Sequence, residues 1–278
     1  MFKPVTISVI TPSFNQAEFI ERTIESVLSQ KGDFDLQYIV MDGGSTDGTL
    51  EILKKYDGRI YWFSGEDAGQ SDAVNKGIGR STGEIIGWLN SDDIYLPGTL
   101  QKVTARFRED PGCQWLYGLC SMIGDDDRVI RTRITAYKDR QCRNFSYRNL
   151  LTENFISQPA VFFRKELFTR VGPLELNQHY AMDFDLWIRM ARVADPVFLN
   201  DCLASFRMHG NSKSMSNTRK MFYEQYKVHK KYDQGWGLLL KHRIKITGIL
   251  TVYKLMDFYR ALRSLRSLRE KRKKGQRG

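Results

Sequence analysis

The chain has 278 residues, enough to bury a large core, and its composition of 41% hydrophobic and 27% charged residues excludes wholesale disorder. Its net charge of +11 is local: residues 238–278 hold 13 Lys and Arg against Asp257 and Glu270, which leaves 30 positive and 30 negative side chains over residues 1–237. A neutral body argues against a nucleic-acid binder, and no apolar run is long enough to span a bilayer. Cys113, Cys120, Cys142 and Cys202 form no CxxC pair, which argues against a disulfide scaffold or zinc knuckle. Met1-Phe2-Lys3-Pro4 runs directly into a β-branched segment, unlike a secretory leader, so the expected location is the cytoplasm.

Strands and helices alternate over the first hundred residues. Val5 to Thr11 reads as a β-branched strand, followed by helical spacing from Ala17 to Gln30 with Phe19, Ile20, Ile24, Val27 and Leu28 on one side. Gln37 to Met41 reads as a second strand, Thr49 to Lys55 as a helix and Arg59 to Phe63 as a third strand. Gln70 to Arg80 reads as a helix and Glu84 to Leu89 as a fourth strand. Strands separated by single helices imply right-handed crossovers and an α/β fold with a mostly parallel sheet flanked by helices. Farther on, Gln114 to Leu119, Val129 to Thr135 and Ala160 to Phe163 have strand character. Asp183 to Val193 reads as an amphipathic helix, and Met215 to Tyr232 as another.

Three acidic clusters follow predicted strands: Asp42-Gly43-Gly44-Ser45-Thr46-Asp47, Glu66-Asp67-Ala68-Gly69 and Asn90-Ser91-Asp92-Asp93. Ligands of open parallel sheets bind at the carboxyl ends of the strands, so the fold brings all three clusters to one rim. Gathered carboxylates repel one another, and a hard divalent cation relieves the cost. The alternative is that these residues make turns and helix caps.

The order of motifs resembles the GT-A-fold glycosyltransferases of family 2. The matching pieces are Ser8 to Asn15, Asp42 to Thr49, Asp72 to Gly77, Gly83 to Asp93 and Asp183 to Trp187. The resemblance spans about residues 5 to 210 and implies a GT-A (Rossmann-like) domain over residues 1–237. It implies an inverting sugar transfer from a nucleotide-sugar donor, with Mg²⁺ or Mn²⁺ bridging the donor's diphosphate. By that resemblance Thr11, Pro12, Asn15, Asp42, Asp67, Lys76 and Asp92 serve the nucleotide-sugar. Asp93 binds the metal with His209, and Asp183 is the catalytic base. Three positions depart from the pattern: Gly43 and Met182 stand where an acid is usual, and the metal motif begins with Asn90.

A base on the face of the sugar opposite the leaving group is what inversion requires, although an Asp at a helix start also caps. For Lys76 the alternative is a solvated side chain, and for Trp187, which with Gln158-Pro159 borders the expected acceptor pocket, it is core packing. His179, His229 and His242 read as structural. Residues 238–278 interleave Ile246, Ile249, Tyr253 and Met256 with cations at helical spacing. A basic amphipathic helix of this kind suits an anionic membrane surface, and packing on the body is the alternative. The expected partners are a nucleotide-sugar donor, a saccharide or lipid-linked saccharide acceptor and the inner membrane face, with no nucleic acid. The rival expectations are an inactive sugar-nucleotide-binding module of the same fold and a nucleotidyltransferase.

Overall fold

The computed structural model describes residues 4–210 and 217–232, with isolated positions at 235, 237, 240, 244, 247 and 248. The expected basic helix of the tail and His242 lie outside the described residues.

β1 (Val5–Ser13), β2 (Phe34–Asp42), β3 (Tyr61–Ser64) and β4 (Ile85–Trp88) pair in parallel in the order β3-β2-β1-β4. α1 (Ile20–Leu28), α2 (Thr49–Lys54) and α3 (Gln70–Arg80) connect them. The second half of the sheet is mixed. β7 (Val161–Arg164) is antiparallel to β4 and to β6 (Trp115–Ile123), while β8 (Val197–Arg207) is parallel to β6. The two-residue β5 (Ile94–Tyr95) closes the far edge against β8. The expected mostly parallel sheet is therefore present, interrupted by β7 and β5.

Alternate residues of the central strands feed two cores, as the period of two requires. Ile10, Ile39, Ile86 and Phe163 face one layer with α3 and α8 (Met182–Ala191), and Val9, Val40, Ile85 and Phe162 face the other with α1 and α4 (Thr99–Glu109). α1 buries Ile20, Thr23, Ile24 and Val27, a single helical stripe. α8 is buried nearly all round: Phe184, Leu186, Trp187, Ile188 and Met190 pack in the core, and its polar residues Asp183, Asp185 and Arg189 are bonded within the fold. Trp187 stacks on Trp115 at 6.0 Å between ring centroids, so it belongs to the core and not to an acceptor pocket.

Val129 to Thr135 is not a strand. Val129 makes one bridge to Ile123, and α5 (Thr132–Cys142) starts three residues later. The β-branched composition misled because Gly124 to Ile130 is a tight return: Gly124 N–H bonds Arg128 O at 3.0 Å and Ile130 N–H bonds Met122 O at 2.8 Å. α6 (Tyr147–Thr152) and α7 (Lys165–Val171) complete this half.

The helix α9 (Thr218–Tyr232) is fastened to α8 through Asp185. That carboxylate is fully buried and accepts bonds from Arg189 Nε at 2.7 Å, Tyr232 Oη at 2.8 Å and Lys231 Nζ at 3.0 Å. Burial pushes its pKa up, but Arg189, Tyr232 and Lys231 together hold it below the ordinary carboxylate value.

Two outcomes follow for stability. A depressed carboxylate stabilises above its unfolded-state pKa of about 3.9 and loses that contribution as pH falls through its folded value. Asp185→Asn should thus cost about 3 kcal/mol at pH 7, with the gap to wild type narrowing as pH falls below about 4, measured by urea denaturation at several pH values. A Cβ on Gly77 in α3 would stand 2.4 Å from Ile10 Cγ2, a stiff side chain in the middle of β1. Gly77→Ala should cost about 1–3 kcal/mol in the same assay.

Candidate active site

The strand register sets the site. Ser13 pairs with Asp42 and Asp42 with Ser64, so β1, β2 and β3 end level at one carboxyl edge. β4 leaves beside them, with Leu89 N–H bonded to Ile10 O at 3.0 Å, and delivers Asn90 to Asp93 on the other side of β1. The three acidic clusters do share a rim, yet their carboxylates have different occupations.

Asp42 is nearly buried and organises its own loop. Its Oδ2 accepts from Gly44 N–H at 3.1 Å, Ser45 N–H at 2.9 Å and Ser64 Oγ at 2.7 Å, and its Oδ1 accepts from Ser45 Oγ. Thr11 is also turned inward, its hydroxyl bonded to Tyr38 Oη at 3.1 Å, and Pro12 is buried, so both offer a ligand backbone only. Asn15 adopts a left-handed φ of 52° and accepts Thr46 N–H at 2.9 Å, which stitches the loop after β1 to the loop after β2. Lys76 pairs with Asp72 at 2.7 Å on an exposed turn of α3, six residues past the helix start that faces the rim.

On the β2–β3 side of β1, Asp67 is half-buried beside an exposed Phe14. Asp67 Oδ1 accepts Gly69 N–H at 2.7 Å. A Cβ on Gly43 would stand 2.9 Å from Asp67 Oδ2 and 3.4 Å from Phe14 Cδ2. The space vacated by the missing acid at position 43 is thus filled by a carboxylate from the loop after β3. The Phe14 ring beside it is 60% exposed, and an aromatic left bare at a rim was the signal that Ser13-Phe14-Asn15 offered and that strand reasoning passed over.

On the other side of β1, Asp93 is fully buried. Its Oδ1 accepts Arg207 N–H at 2.8 Å, and burial followed by the charge of Asp92 drives its pKa well above the carboxylate range. It has no face toward solvent, so the expected metal role does not fit where its side chain lies. The reachable carboxylate is Asp92, whose Oδ2 lies 3.0 Å from His209 Nε2, with the His209 ring seated against Phe19 at 4.5 Å. Asn90 explains its own departure from the pattern. Its amide accepts from Gln70 Nε2 and Trp88 Nε1 and donates to Gln158 Oε1 at 2.9 Å and Asp93 Oδ2 at 3.4 Å. An acid could not donate the last two.

Among the described residues no three His, Cys, Asp or Glu side chains converge as a closed metal cage. The Asp92–His209 pair does fit a cation that takes its remaining oxygens from a bound diphosphate, as Mg²⁺ typically does.

Asp183 stands in the first turn of α8. Its Oδ1 accepts Phe184 N–H at 2.7 Å and its Oδ2 accepts Asn154 Nδ2 at 3.1 Å. Burial raises its pKa, offset in part by those two donors and by Lys138. Ala181 opens the helix, and Asp183, two residues on, accepts one of its first-turn amides, so the carboxylate also serves the helix start. Of the histidines read as structural, His229 is buried and bonded to Leu151 O, and His179 is exposed.

Comparison with known proteins bears on the family and the fold. The model of glycosyl transferase family 2 matches residues 8–172. An uncharacterized glycosyltransferase of Mycobacterium tuberculosis is 32% identical over 210 residues, 74% of this chain and 76% of that protein. The putative teichuronic acid biosynthesis glycosyltransferase TuaG of Bacillus subtilis is 29% identical over 239 residues, 84% of this chain and 90% of its own length. In fold the chain is similar to S. aureus TarS 1-349 solved with UDP-GlcNAc (TM-score 0.61, 20% identity), where the match covers 81% of this chain and 64% of that one. It is similar also to the mannosyltransferase PcManGT of Pyrobaculum calidifontis solved with GDP-Man and Mn²⁺ (TM-score 0.63, 18% identity, covering 84% and 68%). With more than half its length matched by the family and a relative above 30% identity, the chain belongs to glycosyl transferase family 2 and has the mixed α/β architecture of the GT-A fold.

Proposed function

We propose that the protein is a metal-dependent, inverting glycosyltransferase that moves a sugar from a nucleoside-diphosphate donor to an acceptor hydroxyl. The observation that carries this is the division of the rim by β1: Phe14 and Asp67 stand open on one side, and the Asp92–His209 pair on the other. Phe14 offers its face to the base and Asp67 an acceptor oxygen to base or ribose. Asp92 and His209 would hold Mg²⁺ or Mn²⁺, which supplies positive charge for the departing diphosphate without proton transfer.

Asp183 takes the proton of the attacking hydroxyl. Its desolvated carboxylate is a better base than one in water, and Asn154 and the Phe184 N–H fix its orientation. The donor class draws on the solved neighbours that carry UDP-GlcNAc and GDP-Man. For the acceptor we propose a lipid-linked saccharide of surface-polysaccharide assembly, in line with the relative named for teichuronic acid biosynthesis. The cationic residues 238–278 would hold the enzyme at the anionic inner face of the membrane.

Nucleotide release from UDP- and GDP-sugars, followed with and without Mn²⁺, tests the assignment. Asp92→Ala should abolish the metal-dependent turnover. Asp183→Asn should keep nucleotide binding, read as thermal stabilisation, and lose about 10²- to 10⁴-fold in turnover. Full turnover in Asp183→Asn would remove it as the base. Separately, Phe14→Ala should weaken binding of the free nucleoside diphosphate by about 1–3 kcal/mol in calorimetry, while the melting temperature without ligand stays put.

A further inference from the structure

We propose that Glu224, on α9, is a positioning residue for the transfer and sets the place of Asp183. Glu224 Oε2 accepts three consecutive backbone N–H groups: His179 at 3.0 Å, Tyr180 at 2.7 Å and Ala181 at 3.2 Å. The last belongs to the residue that opens α8, because the Ala181 carbonyl accepts Asp185 N–H at 3.0 Å. This inference rests on Asp183 being the base.

The first amides of a helix and those leading into it need acceptors, which Ser, Thr, Asp or Asn at the cap ordinarily supplies. Ala181 has no such oxygen and makes no side-chain cap bond, and the α8 carboxylate of Asp183 reaches only Phe184 N–H. A carboxylate from a different helix stands in, one step earlier on the path. Three N–H groups on one charged oxygen are charge-assisted bonds, and a negative charge there also suits the positive end of the helix.

The loop before α8 is also tied elsewhere, farther from the start of the helix. Asn75 ties Leu174 through both its backbone groups at 2.9 Å, and Ser71 Oγ reaches Gln178 O at 3.4 Å. From α9, Lys231 lies 3.6 Å from Glu175 at the far end of this loop, and the bonds to Asp185 act inside the helix, so Glu224 is what meets the backbone amides at 179–181. Asp183 lies two residues beyond Ala181, so the angle at which the chain enters α8 decides where its carboxylate meets an acceptor. Both Asp183 and Glu224 lie past residue 172, where the family match ends, and Glu224 belongs to no motif.

The test uses the full chain with Glu224→Ala, Glu224→Gln and Asp183→Asn. Amide exchange over residues 179–185, followed by mass spectrometry without ligand, should speed up about tenfold in Glu224→Ala. It should remain near wild type in Glu224→Gln, whose amide oxygen still accepts. With UDP-GlcNAc or GDP-mannose and Mn²⁺, Glu224→Ala should lower kcat by about 10- to 100-fold, the donor KM should stay within about twofold, and Glu224→Gln should recover most of the rate. Unchanged exchange in Glu224→Ala overturns the proposal, as does a loss that falls on KM as much as on kcat. Full turnover in Glu224→Ala beside a dead Asp183→Asn overturns it alone. Full turnover in Asp183→Asn overturns the base assignment and this inference with it.

Discussion

The rim of this sheet depends on one buried cation. Arg207 ends β8 with no exposure. Its N–H bonds Asp93 Oδ1 and its Nε the Asp92 carbonyl at 2.8 Å, its NH1 bonds Gly124 O and pairs with Asp127, and its guanidinium lies 5.1 Å over the Phe19 ring. Burying a charge this deeply is tolerable only when it is paired and hydrogen-bonded on several sides. Those partners come from three places besides β8, which carries the arginine: the exit of β4, the turn after β6 and the start of α1. Arg22 of α1 reinforces the same point through Asp127 at 3.0 Å. The cation therefore locks together the pieces that present Asp92 and His209. Asp93, which the motif made the natural metal ligand, is spent on this internal structure.

The half of the rim formed by β2 and β3 follows a related pattern. Asp42 spends its oxygens on Gly44, Ser45 and Ser64, so the loop after β2 is stiff and its carboxylate is mostly occupied. Gly43 is bare, which lets Asp67 approach from the next loop. A side chain at 43 and the observed place of Asp67 exclude each other sterically. The chain thus presents an acid near the expected position from a different strand.

The first half of the fold was legible in the sequence because each strand there is closed by Gly, Asn or Asp and each helix has a single apolar stripe. The order from β1 to β4 and α3 at Gln70–Arg80 follow from that alone. Beyond residue 90 the signal fades for physical reasons. β5 is two residues long and exists only because β8 pairs with it, and β8 mixes polar and apolar residues at a sheet edge. The turn at Gly124 broke what looked like one β-branched run. Within the site, spacing brought the right loops to the right edge. It could not say that Asp93 would face inward and Asp92 outward, since that depends on Arg207, more than a hundred residues away. Glu224 was invisible for the same reason, being a helix-surface acid whose partners are backbone amides on another element.

After β8 the polypeptide carries His209 beside Asp92 and then, in α9, the Glu224 carboxylate and the Asp185 anchors that steady α8 and its approach. The two ties are made by separate side chains, Glu224 ahead of α8 and His209 beside Asp92, so disturbing one leaves the other in place.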